Sequence, residues 1–286
     1  MPPRIAIPMP HSIDREYAER AIGQYERAIE QAGGEPVRIP LDQPTAPYVC
    51  MNEVMKLEVL KILERCDGVL LPGSNADVDP ARFGATRSPR AAAADPRRAA
   101  ADELLLQDAY DLRKPILGIC YGLQSLNVYR SGSLIQHIPD FLPEELRARV
   151  NHEAGKKVAI AHAVEIENDS RLAEIVNGKG REGHGFSRAN KYPGRNGALA
   201  PEANKLVVPV NSSHHQSADT IGDGLRISAR CPDDGIVEAL EGTAPDHFVF
   251  AVQWHPERSV NEDEPSRAIF RALVQAAAQG HMQRGG

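Results

Sequence analysis

The stretch KPILGICYGLQSLNVYR, residues 114–130, decides the fold. A short apolar run behind Pro115 reads as a strand over 115–119, and LQSLNVYR reads as the start of a helix. Between them lies GICYG, with Cys120 alone at its centre. Strand, sharp turn and helix, with a reactive side chain at the turn, make a nucleophile elbow. The turn forces its central residue into a strained conformation and brings neighbouring backbones close, which explains glycines at 118 and 122. The amides at the helix N-terminus favour a thiolate over a thiol, and the thiolate is the attacking species. Cys120 is therefore the leading candidate nucleophile.

Outward from the elbow, the N-terminal half alternates strand and helix. RIAI at 4–7 predicts a first strand, and an amphipathic helix follows over Tyr17 to Ala32, stopped by Gly33 and Gly34. PVRI at 36–39 begins a second strand, and residues 52–65 carry apolar side chains at helical spacing. GVLLPG at 68–73 is continuously apolar, as a strand buried in a parallel sheet should be. A helix through Asp102–Leu112 leads back to the elbow, and Pro96 in the alanine-rich run before it suits a helix's first turn. This order predicts an α/β fold with a doubly wound sheet and right-handed crossovers.

Beyond the elbow helix the segments become strand-like: 158–166, 205–210, 225–230, 235–241 and 248–253. LRISAR and GIVEALE alternate, which predicts antiparallel pairing with one exposed face. A closing amphipathic helix covers roughly 264–278, and 178–204, rich in Gly, Asn, Arg and Pro, reads as an inserted loop. There is no internal repeat, and residues 1–286 read as a single domain.

Bulk properties exclude several classes. At 42% hydrophobic and 25% charged residues, the composition is that of a soluble globular protein. The net charge of −6 gives no basic surface for nucleic acid, and no apolar run is long enough to span a bilayer. The N-terminus has no signal-peptide pattern, so a cytoplasmic location is expected. Cys50, Cys66, Cys120 and Cys231 show no CxxC spacing, so neither a zinc knuckle nor a disulfide framework is expected. Cys50, Cys66 and Cys231 read as inert packing residues.

A cysteine nucleophile needs a base, and the base an orienting group. FAVQWHPE at 250–257 places His255 just past an apolar strand, with Glu257 two residues on across Pro256, which stiffens the turn. In an open parallel sheet, functional groups collect at the carboxyl ends of the strands, where the elbow also lies. The carboxylate can hold one imidazole nitrogen and leave the other for sulfur. For an oxyanion hole the elbow supplies the Tyr121 amide, and PGSNADVDP at 72–80 is the candidate for a second donor through Gly73. DVDP lacks the glycine and terminal glutamate of a calcium loop, so no metal is expected there. In NSSHHQS at 211–217 the adjacent His214 and His215 point in different directions on extended chain and make a poor chelating pair. They read equally as pocket-lining groups or as hydrogen-bonded loop residues.

GICYGLQSLN together with HHQ and QWHPE resembles the class I glutamine amidotransferase-like superfamily, and more narrowly peptidase family C26, of the gamma-glutamyl-gamma-aminobutyrate hydrolase type. The likeness runs through AGGEPVRIP, LLPGSNADVDP, SGSLIQHI, VNSSHHQ and ISARCPDDGIVEALE in the same order. It implies a flavodoxin-like fold, a mostly parallel central sheet with helices on both faces and an added antiparallel section. It implies Cys120, His255 and Glu257 as the catalytic triad and Gly73 and Tyr121 as the oxyanion amides. Ser74, Gln124, His214, His215 and Gln216 become substrate contacts, with no cofactor and no metal. The implied activity is hydrolysis of a small γ-glutamyl amine such as γ-glutamyl-GABA through a thioester, in the setting of polyamine catabolism, with a homodimer as the expected assembly. A glutaminase supplying ammonia to a separate synthetase and a catalytically silent ligand-binding member are the alternatives. Two positions depart from the family's common pattern: Tyr121 stands where relatives often carry arginine, and Arg130-Ser131-Gly132 where a glycine pair often follows the elbow helix.

Overall fold

A computed structural model describes residues 1–41, 53–178 and 206–284. The predicted loop at 178–204 lies outside these residues except for Gly178, and so does Cys50. Eleven strands are present among the described residues: β1 (Arg4–Pro8), β2 (Glu35–Ile39), β3 (Gly68–Leu71), β4 (Ile116–Ile119), β5 (Leu134–Ile135), β6 (His162–Ile166), β7 (Leu206–Val210), β8 (Ser217–Ala218), β9 (Leu225–Arg230), β10 (Val237–Gly242) and β11 (Val249–Val252). The helices are α1 (Arg15–Gln31), α2 (Glu53–Leu63), α3 (Pro96–Asp111), α4 (Tyr121–Tyr129), the four-residue α5 (Ile138–Phe141) and α6 (Glu144–Arg147), α7 (Arg171–Val176) and α8 (Glu264–Arg284).

Nine strands form one sheet in the order β2-β1-β3-β4-β11-β10-β9-β6-β7. From β2 to β11 every neighbouring pair is parallel; from β11 to β7 every pair is antiparallel. The parallel half follows from the strand–helix alternation, because a parallel neighbour needs a crossover long enough to hold a helix. β1, β3, β4 and β11 are buried almost throughout, as their continuous apolar character predicts. Both α3 and α8 pack on β1 and β3; α1 joins α8, and α2 and α4 join α3, so the two groups cover opposite faces. β5 and β8 form a separate antiparallel ribbon with no counterpart among the predicted strands.

Some boundaries moved for identifiable reasons. β3 ends at Leu71 because Pro72 has no amide to donate and its carbonyl is taken by Arg98 at 2.6 Å. The strand expected over 158–166 begins at His162, because the Asn211 side chain donates to the carbonyls of Val158 at 3.0 Å and Ala159 at 3.1 Å. α3 starts six residues before the predicted Asp102, capped by the Asp95 carboxylate, which accepts from the Arg98 amide at 3.1 Å. GIVEALE does pair antiparallel with LRISAR, but the expectation of one exposed face fails there. β10 is buried from Val237 to Glu241, including both glutamates, because it lies inside the sheet with both faces covered.

Candidate active site

The site is built at the carboxyl ends of β3, β4 and β11, which lie side by side in the sheet. β4 delivers Cys120, whose φ of 52° and ψ of −103° lie where non-glycine residues rarely go. The conformation is held from both sides: the Cys120 amide donates to Val252 at 2.8 Å, and its carbonyl accepts from Leu123 at 3.0 Å and Gln124 at 3.2 Å. Cys120 is the N-cap of α4, so the thiol faces the positive end of that helix. Gly122 lets α4 sit this close to the sheet. A Cβ there would lie 2.1 Å from the Leu71 carbonyl oxygen, which no side chain tolerates.

β11 delivers His255 three residues past its end, where the His255 amide donates to the Asn211 carbonyl at 2.8 Å. Pro256 opens a single tight turn that brings Glu257 back beneath the ring. The result is a 2.7 Å bond between His255 Nδ1 and Glu257 Oε1, with both side chains almost wholly buried. The second ring nitrogen makes no bond to Glu257, and Cys120 and His255 both flank Gly73, where an added Cβ would stand 3.6 Å from Cys120 Cβ. Burial alone would lower the imidazole pKa, but the Glu257 carboxylate, helped by Cys120, outweighs it and raises it to about 9. Burial likewise pushes Glu257 up, and the facing His255, followed by Arg258, brings it below the usual carboxylate range. Cysteine, imidazole and carboxylate thus form a chain in which a proton can leave sulfur for a ring already disposed to hold it.

A cavity of about 530 Å³ opens over this chain, well within the range that encloses small metabolites. Cys120, His255, Ser74, Gln124, His214, His215 and Gln216 all line it, so every residue expected to contact substrate is brought to one cavity. Gln124 is buried, with its amide nitrogen donating to the Gln216 carbonyl and to Gln253 Oε1, both at 3.3 Å. Ser74 Oγ accepts from the Ala76 amide at 3.1 Å and shapes the 72–80 turn. His214 and His215 diverge as expected of neighbours on extended chain. His215 Nε2 meets Asp77 Oδ1 at 2.9 Å, while His214 Nδ1 donates to the Gln216 carbonyl at 2.8 Å.

The two expected oxyanion donors differ. Tyr121 opens α4, so its amide lies beside the thiol and has no acceptor one turn back within the helix. The Gly73 amide is engaged: it donates to the Tyr25 hydroxyl at 3.0 Å. Gly73 is also sterically obliged, because a Cβ there would stand 2.9 Å from His255 Cε1. The Tyr121 side chain points away from the cavity. It is buried against Val78, Phe83, Val128 and Leu134, with the Arg98 guanidinium 4.9 Å over its ring. Arg98 is fully buried, paired with Asp102 at 2.7 Å and donating to the carbonyls of Pro10 and Pro72, so it ties down the start of the Gly73 loop.

Several cavity residues had no signal in the sequence. Tyr17 comes from the start of α1; burial, with Cys120 and Glu257 nearby, raises its hydroxyl to about 12, so it stays protonated. Arg90, Glu153, Lys156 and Arg258 add charges of both signs. Only Arg258 could have been suspected, from its place beside Glu257; it donates to Asn211 Oδ1 at 3.0 Å. Among the described residues the other thiols, Cys66 and Cys231, are both buried, and burial pushes Cys66 up to about 11. Among the described residues no helix is long and apolar enough to cross a membrane.

A parallel sheet ending in a cysteine elbow, with a histidine–glutamate pair returned by the next strand, defines the glutamine amidotransferase-like class. Within it the chain belongs to the peptidase C26 family, which it matches over residues 8–257. It is 31% identical to a glutamine amidotransferase-like protein of Rickettsia prowazekii, over 88% of this chain and 87% of the relative. It is 32% identical to the gamma-glutamyl-gamma-aminobutyrate hydrolase of Escherichia coli K12, over 91% of this chain and 86% of that one. Among solved structures, a GMP synthase component of Thermoplasma acidophilum superposes with a TM-score of 0.56 at 14% identity, covering 100% of this chain and 99% of that one. That last likeness speaks to the fold alone.

Proposed function

We propose that this chain hydrolyses the γ-glutamyl amide bond of a small γ-glutamyl amine through a thioester on Cys120. The observation that carries the reading is the buried chain from Glu257 through His255 to a strained elbow cysteine, set in the wall of a metabolite-sized cavity. His255 takes the thiol proton, and sulfur attacks the γ-carbonyl carbon while the carbonyl electrons move onto oxygen. The Tyr121 amide meets that oxyanion, and the Gly73 amide joins it once the bond to Tyr25 is given up. Collapse expels the amine, protonated by His255. Water, deprotonated by the same ring, then attacks the thioester and releases glutamate, and the proton returns to sulfur. Charges of both signs on the cavity wall (Arg90, Lys156 and Arg258 against Asp77 and Glu153) suit the zwitterionic glutamyl head. Membership of the family and the hydrolase named in E. coli support the substrate class.

The test is a panel of γ-glutamyl amides of GABA, polyamines and ethanolamine, with released amines identified by mass spectrometry and Cys120→Ala as blank. A γ-glutamyl adduct on the Cys120 peptide and loss of turnover in Cys120→Ala are expected. Full turnover by Cys120→Ser would overturn the scheme. Glutamine hydrolysis that rises only with a co-purifying synthetase would instead identify an ammonia-delivering component.

A further inference from the structure

Glu238 sits in β10 between Val237 and Ala239, and its side chain is fully buried. Three imidazoles from three other segments converge on one oxygen of this carboxylate. His152 Nδ1 lies 3.1 Å from Glu238 Oε1, His162 Nε2 3.4 Å and His214 Nε2 3.5 Å. His152 precedes the 154–156 turn, His162 opens β6 and His214 follows β7. None of the four side chains is more than 4% exposed. All three inner nitrogens, and both Glu238 oxygens, lack a hydrogen-bond partner.

The outer nitrogen of each ring explains why. His162 Nδ1 faces the Ala163 carbonyl at 3.0 Å, and His214 Nδ1 faces the Gln216 carbonyl at 2.8 Å. A carbonyl only accepts, so these outer nitrogens carry the hydrogen. His152 Nε2 faces the Asp234 carboxylate at 2.8 Å, to which it too donates. In the neutral rings the inner nitrogens are therefore bare lone pairs, aimed at a carboxylate that is itself an acceptor. Four acceptors converging in a buried space are mutually repulsive and poorly solvated unless a cation lies among them. A proton on one ring would satisfy one contact and leave two lone pairs facing the carboxylate.

We propose that His152, His162, His214 and Glu238 bind a structural divalent metal ion, zinc by the chemistry of the donors. The four ligand atoms lie within 4.8 Å of one another. Tetrahedral zinc with bonds of about 2.0–2.1 Å has ligand-to-ligand edges of about 3.3 Å, and the three carboxylate–imidazole separations fall around that value. Four protein ligands close the coordination sphere, which marks a structural site rather than a catalytic one. Outer nitrogens that donate to carboxylate or carbonyl groups are the usual way a protein orients ligating imidazoles. The ligands come from distant segments, which is why no chelate spacing shows in the sequence. Bound metal would tie the 211–217 strip, with the cavity-lining His215 and Gln216, to β10, β6 and the 151–156 segment.

The experiment uses the full chain with any affinity tag removed. After incubation with Zn²⁺ and desalting, elemental mass spectrometry should find about one zinc per chain, equally in Cys120→Ala. Co²⁺ in its place should give the intense visible absorption of a tetrahedral site. Glu238→Gln and His162→Ala should each lose at least nine-tenths of the metal. Because those variants could fold poorly, the wild-type chain is also stripped and melted, and its midpoint should rise with added Zn²⁺ and fall back with chelator. Wild-type chain holding less than a tenth of an equivalent, or an unchanged melt with Zn²⁺, overturns the proposal, as does full metal content in both variants. None of these readouts uses substrate, so they stand or fall apart from the hydrolase reading.

Discussion

Replacing Glu257 by glutamine changes one atom and removes the charge that organises the site. In the wild type Oε1 accepts from His255 Nδ1 at 2.7 Å and lies 3.6 Å from Arg258 Nε, while Oε2 is buried without a partner. Holding an imidazole at about 9 rather than 6.5 corresponds to about 3 kcal/mol of preference for the protonated ring. Most of that preference comes from Glu257, and once its charge is gone burial and Arg258, which both act in the opposite direction, remain against Cys120. The transition state that needs an imidazolium is raised by a similar amount, a loss of about 10²-fold in kcat. The amide can also present its NH₂ to Nδ1 and force the hydrogen onto Nε2, the wrong tautomer for accepting a proton from sulfur. That second effect extends the expected loss toward about 10⁴-fold.

The assay measures kcat and KM for amine release, together with the rate at which iodoacetamide alkylates the Cys120 peptide from pH 5 to 10. The buried Cys66 and Cys231 serve as internal controls in the same digest. KM should change little, because Glu257 lies beneath the ring and does not line the cavity, and alkylation should slow most between neutral pH and about 9. A variant with kcat within ten-fold of wild type and an unchanged alkylation profile would refute the role given to Glu257.

Three further outcomes follow from particular contacts. Gly122→Ala places a Cβ 2.1 Å from the Leu71 carbonyl oxygen; denaturant unfolding should show a loss of about 3 kcal/mol or more, with Cys120 reactivity lost alongside. Ser131 holds a φ of 69°, so Ser131→Gly should relieve strain and raise stability by up to about 1 kcal/mol after the entropy of the added glycine is counted. For the His255–Glu257 pair, the raised imidazole contributes stability that is complete below about 6.5 and lost as pH rises to about 9. The lowered Glu257 contributes stability above the ordinary carboxylate range and loses it in acid; urea midpoints across pH should show both limbs in wild type, with the alkaline one flattened in Glu257→Gln.

Much of the parallel half was legible because its signals are local. A buried parallel strand is continuously apolar, a crossover helix carries its own period, and the elbow packs glycine, cysteine and glycine into five residues. The Cys120 placement was legible for the same reason, and His255 and Glu257 were legible through the HPE turn just past an apolar strand, although nothing in the pattern showed that this strand runs parallel beside β4. The engaged Gly73 amide was not legible. It depends on a hydroxyl from α1 reaching across the sheet's edge, a contact separated by 48 residues. Tyr121 illustrates the opposite case. It departs from the family's common pattern, yet its side chain packs against Val78, Phe83, Val128 and Leu134 beneath the Arg98 guanidinium and does not line the cavity.

β10 shows most clearly where the expectation of one exposed face breaks down. Alternation tells which residues share a face, but which face meets water depends on what the rest of the chain lays over it. β10 is flanked by β11 and β9 inside the nine-stranded sheet, and the 151–156 segment and the 211–217 strip bring His152 and His214 over the face that carries Glu238. A strand that reads as half-exposed is thus buried together with its charges, and the burial has to be compensated by something the pattern cannot encode. The three imidazoles supply the matching geometry, and they do so beside the cavity, through the residue adjacent to His215. The polar strip that reads as substrate-facing therefore has two sides: one ring turned toward Asp77 at the cavity wall, the other toward a buried carboxylate. A mutation at His214 should consequently act on the cavity both as a lining residue and through the position of the whole strip, lowering thermal stability and substrate affinity together, whereas His215→Ala should alter substrate affinity with the melting temperature nearly unchanged.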